Sequence, residues 1–192
     1  MPLFISTCGI VAFVFYEALV AVNSFISPSI FNNRTANITY LSTFLHGVIL
    51  LTLLYYLPLY YEAVKGLSST KAGIALFPET LSVAPACIIM GLLVSHTGRY
   101  RTGVWIGWLL TTLGTGLLCL LDVNTNTVEW IIINLVGGFG IGILFSAMSF
   151  AIQASASASG EDSGFAIVMF SFFRSLGTVG PSFHFLKILV NF

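Results

Sequence analysis

The 192-residue chain is 57% hydrophobic and only 7% charged, with formal net charge zero and a mean hydropathy of +0.98. An ordinary soluble domain carries about 25% charged residues, and a soluble fold of this size has no way to hide so much apolar surface from water. The balance excludes a soluble globular protein, and a neutral chain without a basic stripe argues against nucleic acid as a partner. The solvent that suits the composition is the lipid bilayer.

The Asp, Glu, Lys and Arg residues mark out the spans, because 1–16, 35–61, 80–98, 102–121, 130–160 and 175–186 contain none of them. A helix crosses the hydrocarbon core with about 20 mainly apolar residues. The runs lack the two-residue alternation of a membrane barrel, so helices are the spanning elements. The expected fold is an all-α membrane protein, a bundle of about six transmembrane helices in a single domain.

Span one is placed at residues 3–22. It lacks a positive start and holds Glu17 within its apolar run, so it reads as a span and not as a signal peptide. A chain that opens abruptly in an apolar run is also expected to have further residues upstream. A polar segment follows at 23–37, with Pro28 and Arg34 as breakers. Span two is 38–60, ending in Tyr55, Tyr56, Pro58, Tyr60 and Tyr61, a cluster suited to headgroup level. After a polar turn with Lys65 and Gly66 comes span three, 72–94. Span four is 103–121, and a turn built from Asn124, Thr125, Asn126 and Thr127 leads to span five, 130–151. A loop of small residues, 153–163, carries Glu161 and Asp162. Span six, 164–190, is expected to be interrupted by Arg174, Gly177, Gly180 and Pro181.

Between spans three and four lies a tight basic hairpin, with Gly91, Ser95, His96, Gly98, Arg99, Arg101 and Gly103 in one short stretch. Lys and Arg favour cytoplasmic loops. A cytoplasmic hairpin puts Arg34, Arg99 and Arg101 inside and Lys65, Lys71 and Lys187 outside, so charge alone leaves the orientation open. The sequons Asn33-Arg34-Thr35 and Asn37-Ile38-Thr39 would carry glycans only on the lumenal side, which makes them topology markers.

Ionisable groups at membrane depth are costly and are therefore candidates for function. The chain offers Glu17, His46, Glu79 and Arg174. Glu79 follows Pro78 and is either a carboxylate that takes up and releases a proton, or the first-turn acid of a helix opened by Pro78 at the interface. Arg174 either meets a carboxylate, backbone carbonyls or a water-filled cavity, or snorkels to an interface. Glu17 is close enough to the end of its span to snorkel. His46 either exchanges a proton or hydrogen-bonds between helices as a neutral imidazole.

Span five contains Gly137-Gly138-Phe139-Gly140-Ile141-Gly142, which lacks the strand and soluble helix that a dinucleotide fingerprint needs. Gly138 and Gly142 make a G-x-x-x-G face for close helix approach, with Gly140 between them. Gly107, Gly114 and Gly116 offer similar faces in span four. Cys8, Cys87 and Cys119 lie in apolar runs without a C-x-x-C pair, so neither a metal site nor a disulfide framework is expected, and no cofactor. There is no G-x-S-x-G elbow and no H-E-x-x-H, and both aspartates lie in loops, which argues against an enzyme. No filter motif supports a channel.

The hairpin Gly91-Leu92-Leu93-Val94-Ser95-His96-Thr97-Gly98-Arg99-Tyr100-Arg101 resembles the signature loop of the major facilitator superfamily, G-x-L-x-D-R-x-G-R-[KR]. Gly91, Gly98 and Arg99 match, while Ser95 and His96 stand at the usual acidic and basic positions. Tyr55 to Tyr61, the glycines from Gly138 to Gly142 with Phe145, and Phe172-Phe173-Arg174-Ser175-Leu176-Gly177 resemble fungal fourteen-span drug:proton antiporter-like members. The resemblance runs from Leu3 to Gly177, and the tail after Gly180 departs from it.

This resemblance implies a cytoplasmic hairpin inside the second, C-terminal half of a transporter whose N-terminal half is missing here. It implies a multi-pass protein of the plasma membrane or the vacuolar membrane. The activity it implies is proton-coupled efflux of small organic molecules by alternating access about a midplane site. Glu79 would then carry the proton or meet substrate, Arg174 would be an intramembrane counter-charge, and the glycine faces would be sliding surfaces. The competing expectation is a transport-incompetent, truncated membrane protein or scaffold half.

Overall fold

The computed structural model describes residues 33–122, 125–159 and 163–190. Their regular elements are all helical: α1 (Arg34–Ala63), α2 (Ser69–Ala75), α3 (Phe77–Thr97), α4 (Tyr100–Leu117), α5 (Thr127–Ser159) and α6 (Ser163–Val190). A 3-10 turn, Leu118–Leu120, extends α4. Among the described residues, five spans are long and apolar enough to cross a membrane, with α2 and α3 jointly forming the one from Ser69 to Thr97. This is an all-α membrane bundle. Span one, with Glu17 and Cys8, lies outside the described residues.

The helices run longer than the apolar runs, for local reasons. The Asn33 side chain accepts the Thr35 N–H at 3.0 Å and caps α1, so the helix begins inside the expected polar segment 23–37. Asn37 therefore lies in the first turn of a helix, not in a loop. At its other end α1 passes through Pro58 and closes with the Val64 N–H on the Tyr60 carbonyl at 2.9 Å. Most of the small-residue loop expected at 153–163 is instead the last turns of α5, which is helical to Ser159. Ala and Ser are compatible with a helix when nothing breaks the ladder. The interruption expected in span six is absent too, since α6 is one helix through Arg174, Gly177, Gly180 and Pro181. In a bilayer every backbone group needs an internal partner, and a continuous helix supplies it.

Polarity is inverted relative to a soluble fold. Thr39, Thr43, His46, Glu79, Ser82, Thr111, Asn134 and Ser155 are buried, whereas Leu81, Ile88, Leu109 and Ile132 face outward and Trp105 is 78% exposed. Only a hydrocarbon solvent makes that arrangement favourable. Thr39 and Thr43 satisfy their hydroxyls by donating to the carbonyls of Thr35 and Thr39, each at 2.8 Å.

Helix α5 is the hub, packing against α1, α3, α4 and α6. Its glycines make that closeness available. A Cβ at Gly138 would run into the Glu79 carbonyl and the Ser82 hydroxyl, and one at Gly142 into the Val83 carbonyl and Ala86. On the opposite side a Cβ at Gly140 would sit 2.5 Å from the Thr111 nitrogen. Gly114 of α4 lies over Gly137, and Gly107 over Leu144. Gly116 differs from expectation: a Cβ there meets open space. Helices α1 and α6 touch by a reciprocal pair, Gly47 against the Arg174 carbonyl and Gly177 against the Phe44 carbonyl.

The two ends of the bundle are tied separately. At one end Asn33 Nδ2 donates to Ser155 Oγ at 2.8 Å, joining the start of α1 to the end of α5. At the other, Lys65 Nζ donates to the Thr125 carbonyl at 2.6 Å and Tyr60 Oη to the Asp122 carbonyl at 3.1 Å.

The glycine contacts predict a graded substitution series. Gly142→Val overpacks the α3–α5 seam and is expected to destabilise by about 1–3 kcal/mol. Gly116→Ala is expected to be neutral or stabilising by up to about 1 kcal/mol, as for a helical glycine with free space. Thermal unfolding of the detergent-solubilised protein checks both.

Candidate functional site

The hairpin is built by one glycine. Gly98 takes φ 65°, ends α3 with its N–H on the Val94 carbonyl at 2.8 Å, and leaves Arg99 alone before α4 begins. The Arg99 N–H reaches Thr97 Oγ1 at 3.3 Å. Ser95 donates to the Leu92 carbonyl of its own helix at 2.9 Å. Gly91 is half-buried beside Phe150, whereas Arg99 and Arg101 are exposed at the turn. These residues share one end of the bundle with the start of α1. They lie about 27 Å along α3 from Glu79 (18 residues at 1.5 Å each).

Glu79 sits at a discontinuity caused by Pro78. The Ala75 carbonyl would ordinarily receive the Glu79 N–H, but that N–H bonds to the Leu76 carbonyl at 3.1 Å instead. Asn134 of α5 takes over, its Nδ2 donating to the Ala75 carbonyl at 3.2 Å and to Tyr61 Oη at 2.8 Å. Tyr61 is fully buried in this network, its ring tilted against Trp130 at 5.4 Å between centroids, so it does not belong to the interfacial tyrosine belt expected from the sequence. Glu79 is 8% exposed, with no hydrogen bond or ion pair to its carboxylate among the described residues. It is the first-turn acid of α3, and α2 continues the apolar segment before it, so it lies about 15 Å along the helix from Ser69.

A second constellation forms where α1, α5 and α6 meet. The Gly47–Gly177 contact pins the backbone beside Arg174 to α1. The Arg174 guanidinium carbon stands 4.6 Å from the centroid of the Phe145 ring, and its Nε is buried without a partner. Nothing among the described residues offers the guanidinium a carboxylate or carbonyl. A cation over a ring contributes about 0.5–2 kcal/mol, against about 2.5–3.5 kcal/mol for an arginine at the centre of a spanning helix. The ring alone does not offset the cost.

His46 packs on the same Phe145 ring, centroids 6.4 Å apart. It is fully buried, its Nε2 donating to the Ile141 carbonyl at 3.2 Å and its Nδ1 without a partner. Phe170, one turn before Arg174 on α6, completes the group at 5.7 Å from Phe145. The structure thus gathers His46 and Arg174 around Phe145 and leaves Glu79 on the separate α3–α5 seam. The open groove on the outer face of α4, between Trp105, Trp108 and Leu113, carries no ionisable side chain.

The model of the Major Facilitator Superfamily matches residues 5–181. The chain belongs to the major facilitator superfamily. It is 50% identical over 177 residues to MFS transporter L2 of Phoma sp., covering 92% of this chain and 29% of that protein. It is 37% identical over 182 residues to the MFS-type efflux pump MMF1 of Pseudozyma antarctica, covering 93% of this chain and 33% of that protein. Efflux pump FUS6 of Gibberella fujikuroi is 32% identical over 180 residues, again with 93% of this chain and 32% of the relative. This major facilitator chain therefore spans about a third of the length of the relatives it matches. No solved structure matches it.

Sequence reasoning missed Asn134, Tyr61 as a buried group, and Gly47. An asparagine inside a charge-free run was a usable signal for the first. Hydrogen bonds between membrane helices average about 0.6 kcal/mol and reach about 1.7. Tyr61→Phe is therefore expected to cost about 0.6 kcal/mol and Asn134→Ala more, since it also strands the Ala75 carbonyl. Parallel thermal unfolding of the two variants measures the order.

Proposed function

We propose that this bundle works within a transporter that exports small organic molecules in exchange for protons, by alternating access. One observation carries the reading: Glu79 is a buried, unpartnered carboxylate at a helix discontinuity within the apolar segment Ser69–Thr97. Discontinuous helices at membrane depth are where secondary transporters place coupling ions. Protonation removes the charge that would otherwise be exposed to low dielectric when the surrounding water leaves. The α3–α5 seam on which Glu79 sits brings the two backbones close at Gly138, beside the Glu79 carbonyl, and at Gly142, beside the Val83 carbonyl.

Relatives named as efflux pumps support export as the direction. The remainder of the protein supplies the opposing bundle, and the Gly98 hairpin faces the cytoplasm of a cell whose plasma membrane holds the transporter. Arg174 lies in the wall between bundles as the fixed positive charge.

Two measurements follow. A cysteine placed by Arg101→Cys in the full-length protein should react with an impermeant maleimide only after the cells are permeabilised. Labelling of intact cells would reverse the orientation. Glu79→Gln should retain substrate exchange at equal concentrations while losing efflux driven by a pH gradient by about 10-fold or more. Gradient-driven efflux at the wild-type rate would remove Glu79 from coupling.

A further inference from the structure

We propose that the outer face of α4 binds one phospholipid with a net negative headgroup, held by Arg101 and by the tryptophan-lined groove that runs from it. Such a site needs neither the transport reading nor a choice of the membrane side that the hairpin faces.

Helix α4 packs on one side. Its main partner is α5, and Gly103, Gly107, Thr111 and Gly114 are the residues it buries. On the open side Trp105, Trp108, Leu109, Thr112 and Leu113 line a groove of about 700 Å³. Arg101 heads the same stripe. Residues four, seven and eleven positions further along a helix fall within about 40° of it, which puts Trp105, Trp108 and Thr112 in line with Arg101. Arg101 is exposed and makes no hydrogen bond or ion pair among the described residues, and α4 carries no acid to neutralise it.

The length and order of the stripe identify its occupant. Leu113 lies 12 residues after Arg101, about 18 Å along the helix at 1.5 Å each. That is close to one leaflet of a hydrocarbon core about 30 Å thick. The stripe is therefore ordered as a single lipid is, charged at one end and apolar to the other. Arg101 meets the phosphate, for which a guanidinium offers paired donors. Trp105, 78% exposed and one turn deeper, stands where indole rings favour the boundary between headgroups and chains. Trp108, Leu109 and Leu113 then bound a course for an acyl chain. A sterol would fill the groove but leave Arg101 without an anion, and a zwitterionic phospholipid would bring a cation of its own beside it. Arg99, exposed at the same turn, adds a second positive charge. Arg101 lies one position past the family's loop pattern, which ends at Tyr100, so the site is a feature of this chain's own α4.

The test uses phosphatidylserine and phosphatidylcholine that carry the same photoactivatable diazirine in the acyl chain. Each is added in trace to phosphatidylcholine nanodiscs holding the full-length protein, and peptide mass spectrometry counts adducts within α4 after illumination. Wild type should favour phosphatidylserine by about 5-fold, the pull of one basic residue on an anionic lipid. Arg101→Gln should bring the two lipids to equal yield, and Arg101→Lys should keep the preference because the charge survives. Salt at about 1 M should erode the wild-type preference, since Arg101 is exposed. If Arg101→Gln does not fold, the salt dependence of wild type decides. Equal yields from both lipids in wild type, a preference that survives Arg101→Gln, or one indifferent to salt overturns the proposal. So does the absence of adducts on α4 from either lipid, the result expected if the rest of the protein covers the groove.

Discussion

Everything in this bundle hangs on how closely α5 can approach its neighbours. In lipid there is no hydrophobic drive to press helices together, so association relies on dispersion and on backbones that come near enough to interact. Gly138 and Gly142 open one side of α5 to α3, and Gly140 opens the other to α4. The same seam carries two side-chain bonds between α3 and α5, Cys87 Sγ to the Gly142 carbonyl at 3.2 Å and Ser146 Oγ to the Cys87 carbonyl at 3.1 Å. With side chains at those glycines the helices would stand apart. Asn134 could then not reach across to Ala75.

That closeness has a functional corollary. It packs polar groups into the interior and creates two unequal sites. Near Glu79 Asn134 serves the Ala75 carbonyl and the Tyr61 hydroxyl together, while its own Oδ1 and the Glu79 carboxylate stay open. Around Arg174 the groups stay incomplete, with Nε of the arginine and Nδ1 of His46 both orphaned. One site suits a group that can discard its own charge by taking a proton. The other holds a group whose charge is permanent and whose Nε has no partner among the described residues.

Composition and charge spacing were enough to expose the spans, because the bilayer imposes the same apolar requirement on every one of them. Ends were harder. Asn33 as a cap and the helical Ala/Ser stretch before Ser159 depend on contacts such as Asn33 with Ser155, residues far apart in sequence. Gly98 was legible because a left-handed C-cap leaves a local signature; Gly47 was not, since its role exists only opposite Gly177. Glu79 and Arg174 could be flagged by cost alone. Which side chains stand beside them follows from helix rotation, and a nearly all-apolar sequence encodes rotation weakly.

The central claim is that Glu79 holds and releases a proton from within the membrane. Dicyclohexylcarbodiimide is lipid-soluble and modifies a carboxyl group in its protonated form, so its adducts can be read by peptide mass spectrometry on the full-length protein in native membranes. The account predicts an adduct on Glu79 that declines as the pH of the reaction is raised, with Glu62 and Glu129 far less modified. An unmodified Glu79 at every pH, or an adduct whose yield ignores pH, would contradict it.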